Sequence, residues 1–119
     1  MKLLFVCVGN SCRSQMAEGL AKTMGHEAFS AGTHPAEKVA SNAVIAMDEI
    51  DIDISHQQPQ GVDLFADEKF DMVISMGCGV SCPNIHIDAD WNLEDPYGMP
   101  LEKYKETRNM IEKNIIELG

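Results

Sequence analysis

The stretch "CVGNSCRSQMAEG", from Cys7 to Gly19, decides the fold prediction because it follows directly on the run "KLLFV" of residues 2–6. A short continuous apolar run is typical of a strand that is buried on both faces. From about Ser14 onward, apolar residues repeat with the period of an amphipathic helix. The predicted apolar face of that helix comprises Met16, Ala17, Leu20, Ala21 and Met24. Residues 7–13 are therefore predicted to form a strand-to-helix loop, which is where open parallel sheets bind ligands.

Strand-like and helix-like periods continue to alternate along the rest of the chain. Further strands are predicted at "EAFSA", "FDMVISM" and "NIHID" (residues 27–31, 70–76 and 84–88). A second helix face comprises Val39, Ala40, Ala43, Val44 and Met47. A last helix, from about Leu101 to Leu118, places Leu101, Tyr104, Ile111 and Ile115 on one stripe with charges elsewhere. The alternation predicts an α/β fold with a parallel sheet, in a single domain spanning residues 1–119.

Composition excludes several classes of function. The net charge is −10, with 19 acidic against 9 basic residues, so the chain would repel a nucleic acid backbone. No apolar run is long enough to span a membrane, and "MKLLFVCVGN" lacks the length and cleavage site of a signal peptide. We therefore expect a cytoplasmic protein that binds neither nucleic acid nor membranes. In that reducing compartment, its four cysteines are expected to remain thiols.

The loop after the first strand has the composition of an anion-binding site. It contains no proline, so every backbone N–H in it can turn inward, and Gly9 and Asn10 tolerate left-handed conformations. The N-terminus of the following helix and the planar fork of Arg13 add positive potential. The predicted oxyanion-binding residues are Val8, Gly9, Asn10, Ser11, Cys12, Arg13 and Ser14.

Cys7 is placed to be the nucleophile at the centre of this loop. A thiol surrounded by N–H donors, a helix N-terminus and a guanidinium loses its proton easily, and Ser14 can hydrogen-bond the sulfur. The alternative is a buried structural cysteine at a strand end with a surface arginine nearby. The Gly-Asn-Ser and Arg-Ser sequences around the pair favour the nucleophile.

These residues resemble a known family. The segment "CVGNSCRS" is similar to the phosphate-binding loop of the low-molecular-weight protein tyrosine phosphatases and of the arsenate reductases that share their fold. The longer "GNSCRSQMAEG" looks most like the reductases, and the resemblance continues through "SAGT", "DIDIS" and "EDPYG". It implies a four-stranded parallel sheet in the order 2-1-3-4 with helices on both faces, and an arsenate reductase.

Chemistry at an oxyanion also needs an acid to protonate the departing oxygen. The candidate is Asp95 in "NLEDPYG", whose backbone Pro96 restrains. An Asp-Pro pair is otherwise common in turns. In the family that this chain resembles, however, the pair supplies the general acid. The neighbouring Glu94 does not match that position.

Two further cysteines, Cys78 and Cys82 in "MGCGVSCPN", follow the predicted third strand and should lie at the same sheet edge as Cys7. In the reductases that this chain resembles, a second cysteine attacks the arsenic adduct of the first, and a third resolves the disulfide; these positions map onto Cys7, Cys78 and Cys82. A thiol pair supplies the two electrons that As(V) needs. Three residues separate Cys78 from Cys82, whereas thioredoxin-coupled members have six.

The resemblance implies no organic cofactor, only an external thiol reductant such as thioredoxin. Some reductases of this fold bind potassium near the loop, and Asn10, Glu18 and Ser30 match three of its ligands. In those reductases the fourth ligand is a carboxylate, whereas this chain has Gln60 at that position. The expected ligand set is therefore incomplete.

Two alternatives from other classes remain open. The first is a phosphatase acting on phosphotyrosine or a small phosphoester, which Tyr97 favours because it resembles the aromatic wall of those enzymes. The second is a non-catalytic oxyanion- or metal-binding domain, for which Cys78, Cys82 and His86 have a zinc-like spacing. Pro83 would break a helix through that set, so we assign no metal ligands.

Overall fold

The computed structural model describes residues 1–77 and 86–118 of the chain. Its elements are β1 (Lys2–Cys7), α1 (Arg13–Thr23), β2 (Glu27–Gly32), α2 (Ser41–Asp48), a 3₁₀-helix (Val62–Phe65), β3 (Met72–Ser75), β4 (Ala89–Asp90) and α3 (Leu101–Leu118). None of the helices within these described ranges has both the length and the apolar character needed to cross a bilayer.

The four strands form one parallel sheet in the order β2-β1-β3-β4. Strand β1 lies second in that order, paired on both sides, and its residues Leu3 to Val6 are completely buried. Such burial on both faces requires an uninterrupted apolar strand, which "LLFV" provides. The order implied by the resemblance is thus confirmed, and β1 delivers its last residue, Cys7, to the carboxyl edge of the sheet.

The two faces of the sheet are covered unequally. Leu3 and Phe5 face a core cluster to which all three α-helices contribute. Leu4 and Val6 face the other side of the sheet. There the 3₁₀-helix places the ring of Phe65 against the rings of Phe29 and Phe70. Helices therefore lie on both faces, as expected, but within the described residues the second face is covered by a single 3₁₀ turn and loops.

The fourth strand does not lie where "NIHID" predicts it. Residues 86–88 are not in a strand, residues 84 and 85 lie outside the described part, and β4 is Ala89–Asp90. The cause is Asp88, whose carboxylate accepts the Val73 backbone N–H at 2.7 Å. A side chain thus occupies the place of a strand carbonyl, and regular pairing with β3 begins only at Ala89.

Helix α3 has the predicted bounds, but its buried stripe includes a cation that periodicity did not predict. Arg108 is buried, and its Nη1 donates to the Ala46 carbonyl at 2.7 Å and to Glu49 Oε1 at 3.1 Å. The guanidinium satisfies a carbonyl of the last turn of α2, where a cation is favourable. Hydrogen bonds from Lys105 and Arg108 lower the pKa of the Glu49 carboxyl. Helix α3 is thereby attached to α2.

Candidate active site

Cys7 is the last residue of β1, and α1 begins at Arg13. The expected strand-to-helix loop is therefore present, with residues 8–12 between the two elements. Cys7 and Cys12 are both unbridged thiols and both are buried.

The conformation of this loop is set by the segment that follows β2. Backbone N–H groups of residues 33–40 donate to loop carbonyls at 2.8–3.2 Å: Thr33 to Cys7, His34 to Val8, Ala36 to Gly9 and Ala40 to Ser11. In a planar trans peptide the C=O and the next N–H point in opposite directions. Each outward carbonyl therefore turns the following N–H inward, toward the cavity over Cys7. This geometry supports the N–H cradle predicted from the sequence, which stays a prediction.

Asn10 brings one of these inward N–H groups to the sulfur itself. Its backbone N–H donates to Cys7 Sγ at 3.1 Å. Asn10 adopts the left-handed region, with φ of 50°, a conformation that asparagine tolerates better than most residues. Of the two loop residues noted as tolerating that conformation, Asn10 adopts it and Gly9 does not.

Ser14 supplies a second donor to the sulfur. The Gln60 backbone N–H donates to Asn10 Oδ1 at 2.8 Å, so the other end of that amide, Nδ2, faces Ser14 Oγ at 2.7 Å. Ser14 Oγ accepts this bond and lies 2.9 Å from Cys7 Sγ, to which its own proton can be donated. Two donors thus converge on the sulfur, an environment that stabilises a thiolate.

The second loop cysteine has a different environment. Burial raises the pKa of the Cys12 thiol, and its Sγ lies 3.7 Å from the Tyr104 hydroxyl. Burial also raises the pKa of Tyr104. Both groups are neutral near pH 7, so Cys12 is a thiol.

Arg13 joins the loop to the opposite side of the site. Its guanidinium is buried, and Nη1 donates to the Met76 carbonyl at 3.1 Å and to the Leu93 carbonyl at 2.8 Å. Its Nη2 lies 3.6 Å from Asp95 Oδ2. The cation is therefore held in a fixed orientation beside the sulfur and the acid.

A cavity of about 240 Å³ brings the predicted residues together. It is lined by Cys7, Val8, Gly9, Ser11, Cys12, Arg13, Ala36, Asp95 and Tyr97. Asp95 is half exposed and accepts the Tyr97 backbone N–H at 3.0 Å, so its loop is preorganised. Glu94 lines a different cleft, beside α3. Geometry therefore favours Asp95 over Glu94 as the acid.

The profile of the low molecular weight phosphotyrosine protein phosphatase family matches residues 2–119. The chain belongs to this family. The match covers both the N–H cradle and the Asp95 loop, so the family resemblance noted in the sequence is confirmed over the whole described structure.

Within the low molecular weight phosphotyrosine protein phosphatase family, the similar proteins include reductases and phosphatases. The chain is 40% identical to the "Glutaredoxin arsenate reductase" of Synechocystis, over 98% of this chain and 95% of the relative. A solved "arsenate reductase in the phosphate binding state" is 42% identical, with a TM-score of 0.88, covering 99% of this chain and 96% of that one. A low molecular weight protein tyrosine phosphatase from T. tengcongensis is 33% identical, with a TM-score of 0.79, covering 99% and 97%.

The relay cysteines predicted by sequence, Cys78 and Cys82, lie outside the described residues. Two residues of the zinc alternative, Cys78 and Cys82, fall on the same segment, whereas the third, His86, is described and exposed, with its Nε2 3.5 Å from Asp88 Oδ1. Within residues 1–77 and 86–118, no group of three or more His, Cys, Asp and Glu side chains is arranged to hold a metal ion.

The residues that match the family's potassium ligands already bind protein donors. Ser30 Oγ and Lys22 Nζ donate to the two oxygens of Glu18, each at 2.6 Å. Asn10 Oδ1 accepts from the Gln60 backbone at 2.8 Å. In this arrangement these side chains do not fit a potassium ligand set.

Sequence reasoning missed how much of the site is built by Gly32 and the segment after it. A Cβ added to Gly32 would lie 2.6 Å from the Val8 carbonyl oxygen and 3.0 Å from the Asn10 backbone nitrogen. Only glycine therefore allows β2 and the loop to approach so closely. The available signal was the "SAGT" segment, whose role depends on a contact between β2 and the loop that follows β1.

We expect Gly32→Ala to weaken oxyanion binding and turnover by roughly 10-fold or more, because the Cβ displaces backbone rather than a flexible side chain. Protection of Cys7 by phosphate against iodoacetamide measures the binding. Gly61→Ala is the matched control, since Gly61 bridges to Gly32 and its added Cβ would meet only Pro35 Cγ, at 3.7 Å. Equal phosphate protection in the two variants would contradict the prediction.

Proposed function

We propose that this protein is an arsenate reductase whose nucleophile is Cys7. The observation that carries the proposal is the convergence of the Asn10 N–H and the Ser14 hydroxyl on Cys7 Sγ, in a cavity that also holds Arg13 and Asp95. Similarity to proteins named arsenate reductase, at 40% and 42% identity over nearly the whole chain, supports reduction over hydrolysis.

In the first step the Cys7 thiolate attacks arsenic of H₂AsO₄⁻, and an S–As bond forms. The departing oxygen takes a proton from Asp95 and leaves as water, so the product is a Cys7–S–AsO₃H⁻ adduct. The inward N–H groups and Arg13 bind the remaining oxygens, whose charge they stabilise. Asp95 must enter this step protonated in order to act as the acid.

In the second step a thiolate attacks the sulfur of Cys7. An S–S bond forms, the S–As bond breaks, and its electron pair reduces As(V) to As(III), which leaves as arsenite. We assign this attack to Cys78. Cys82 then attacks Cys78, releasing the Cys7 thiolate, and an external dithiol reduces the Cys78–Cys82 disulfide. Thioredoxin is the donor that we propose, and the Synechocystis relative's name makes glutaredoxin with glutathione the necessary comparison.

The decisive experiment gives the purified protein arsenate or, separately, an aryl phosphate, with thioredoxin and its reductase or with glutaredoxin and glutathione. Arsenite formation and phosphate release are both assayed. Arsenite formation that depends on one of the two thiol systems supports the proposal. Phosphate release without arsenite formation would assign the site to a phosphatase.

The assignment of the relay cysteines is tested by trapping. We expect Cys82→Ser to release one equivalent of arsenite and stop as a Cys7–Cys78 disulfide, because no thiol remains to resolve it. Cys78→Ser should stop earlier, as the arsenic adduct. Peptide mapping after one equivalent of arsenate distinguishes these states. Normal turnover of Cys82→Ser with thioredoxin, or a Cys7–Cys12 disulfide in it, would disprove the three-cysteine relay.

One observation favours phosphomonoester hydrolysis as a second candidate. The Tyr97 side chain is largely exposed and lines the cavity of Cys7 and Asp95. An aromatic ring there can pack against the aryl group of a substrate. Cys7 and Asp95 would act as nucleophile and acid in this reaction too, and water would take the place of the second thiol.

A further inference from the structure

A continuous chain of side-chain hydrogen bonds leads from the surface near α1 to the nucleophile. Gln57 Nε2 donates to Gln15 Oε1 at 2.7 Å, and Gln15 Nε2 donates to Asn10 Oδ1 at 3.1 Å. From Asn10 the chain continues through its Nδ2 to Ser14 Oγ at 2.7 Å, and from Ser14 to Cys7 Sγ at 2.9 Å. The first three bonds have their donor on the side of Gln57 and their acceptor on the side of Cys7, and in the fourth the Ser14 hydroxyl can donate to the sulfur in the same direction.

Backbone groups determine this direction. Gln57 Nε2 also lies 3.1 Å from the Gln15 carbonyl, and Gln15 Nε2 lies 2.9 Å from the Asn10 carbonyl. A carbonyl oxygen can only accept, so both glutamine amides must present nitrogen there. The Gln60 N–H, which can only donate, orients the amide of Asn10 in the same sense. Each amide in the chain is thus oriented by a main-chain group.

Burial makes the direction important. Gln15, Asn10 and Ser14 are all completely buried, with relative exposures of 0%. In such surroundings hydrogen bonds in series polarise one another, and a reversed bond costs more than it would in water. A chain that presents donors successively toward the sulfur therefore keeps the Ser14 proton on the side that faces Cys7.

We propose that Gln57 and Gln15 are positioning residues for the nucleophile: they orient the Asn10 amide, which directs the Ser14 hydroxyl proton to Cys7 Sγ. The inference rests on the proposed role of Cys7 as nucleophile. It adds two residues from outside the loop cavity, one of them in the segment that follows α2. Neither residue lines the cavity of Cys7 and Asp95, so neither contacts the substrate directly.

The test uses substitutions of Gln57, which is half-buried and tolerates change better than Gln15. Gln57→Leu removes the first donor and should slow alkylation of Cys7 by iodoacetamide at pH 7 by about 3- to 10-fold. Gln57→Glu places an acceptor against the Gln15 carbonyl and Oε1. It should slow alkylation more than Gln57→Leu does, because it opposes the direction of the chain. In both variants kcat/KM for arsenate should fall by a similar factor.

Gln58→Leu and Gln58→Glu are the matched controls, since Gln58 is exposed and lines the same surface cleft as Gln57. Gln58→Glu carries the same added charge, so a pure charge effect would slow alkylation in both glutamate variants. The thermal midpoint of each variant shows whether the fold is retained.

The alkylation rate of the wild-type protein distinguishes failure of the proposed nucleophile from failure of the proposed positioning role. If wild-type Cys7 reacts no faster than Cys12, the proposed nucleophile itself is wrong. If wild-type Cys7 reacts first but folded Gln57→Leu and Gln57→Glu react at the wild-type rate, or if Gln57→Glu only equals Gln58→Glu, the positioning role is disproved.

Discussion

Cys7→Ser is expected to abolish arsenate reduction and any aryl phosphate hydrolysis, with kcat/KM falling by at least about 1,000-fold. Both reactions begin with a bond from Cys7 Sγ, and a serine hydroxyl is too weak an acid to supply the corresponding anion near pH 7. The loop around residue 7 should otherwise keep its structure in this variant. Asn10 N–H and Ser14 can still hydrogen-bond an oxygen at this position, as they now bond the sulfur.

Oxyanion binding therefore provides the control for Cys7→Ser. Phosphate should still raise the thermal midpoint of this variant, because the inward N–H groups and Arg13 remain. Arsenite formation by Cys7→Ser at more than a few per cent of the wild-type rate would remove Cys7 from the mechanism. Loss of both activity and phosphate stabilisation would instead indicate a disrupted loop.

Arg13→Lys is expected to reduce kcat/KM for arsenate by roughly 100-fold or more, although the charge is retained. Lysine cannot place one nitrogen between the Met76 and Leu93 carbonyls and another 3.6 Å from Asp95. Removing charge-assisted hydrogen bonds of this kind costs about 1.5–3 kcal/mol each. Oxyanion affinity should fall together with the rate, which inhibition of arsenate turnover by phosphate measures.

Asp95→Asn is the matched comparison for Arg13→Lys. It should slow the step in which oxygen departs by roughly 100-fold, with little change in phosphate inhibition, because the amide cannot donate an acidic proton. If Arg13→Lys leaves phosphate inhibition at its wild-type value, the guanidinium does not bind the oxyanion. If Asp95→Asn turns over normally, Glu94 or solvent must supply the proton.

The sequence predicts the strands and helices well where a single local signal dominates. The run "KLLFV" is apolar throughout because β1 is buried on both faces, and α3 has the bounds that its period predicts. Prediction is wrong where a side chain takes the place of a backbone group. Asp88 accepts the Val73 N–H and delays β4, and Arg108 is buried because it binds the carbonyl of Ala46. Neither effect is visible in periodicity, since both depend on a partner distant in the chain.

The sequence by itself determined the loop that carries the proposed nucleophile. The order Cys7, Gly9, Asn10, Arg13, Ser14 lies between a buried strand and a helix, so its chemistry follows from local spacing. Only the tertiary structure decided how the loop is held and which way its protons point. The loop carbonyls are bound by residues 33–40, and Gly32 allows the strand to approach. The Asn10 amide donates to Ser14 Oγ and accepts from Gln15, whose own amide accepts from Gln57. The physical reason is that hydrogen-bond direction in a buried site is set by the acceptors and donors around it, and here those come from segments far apart in the chain.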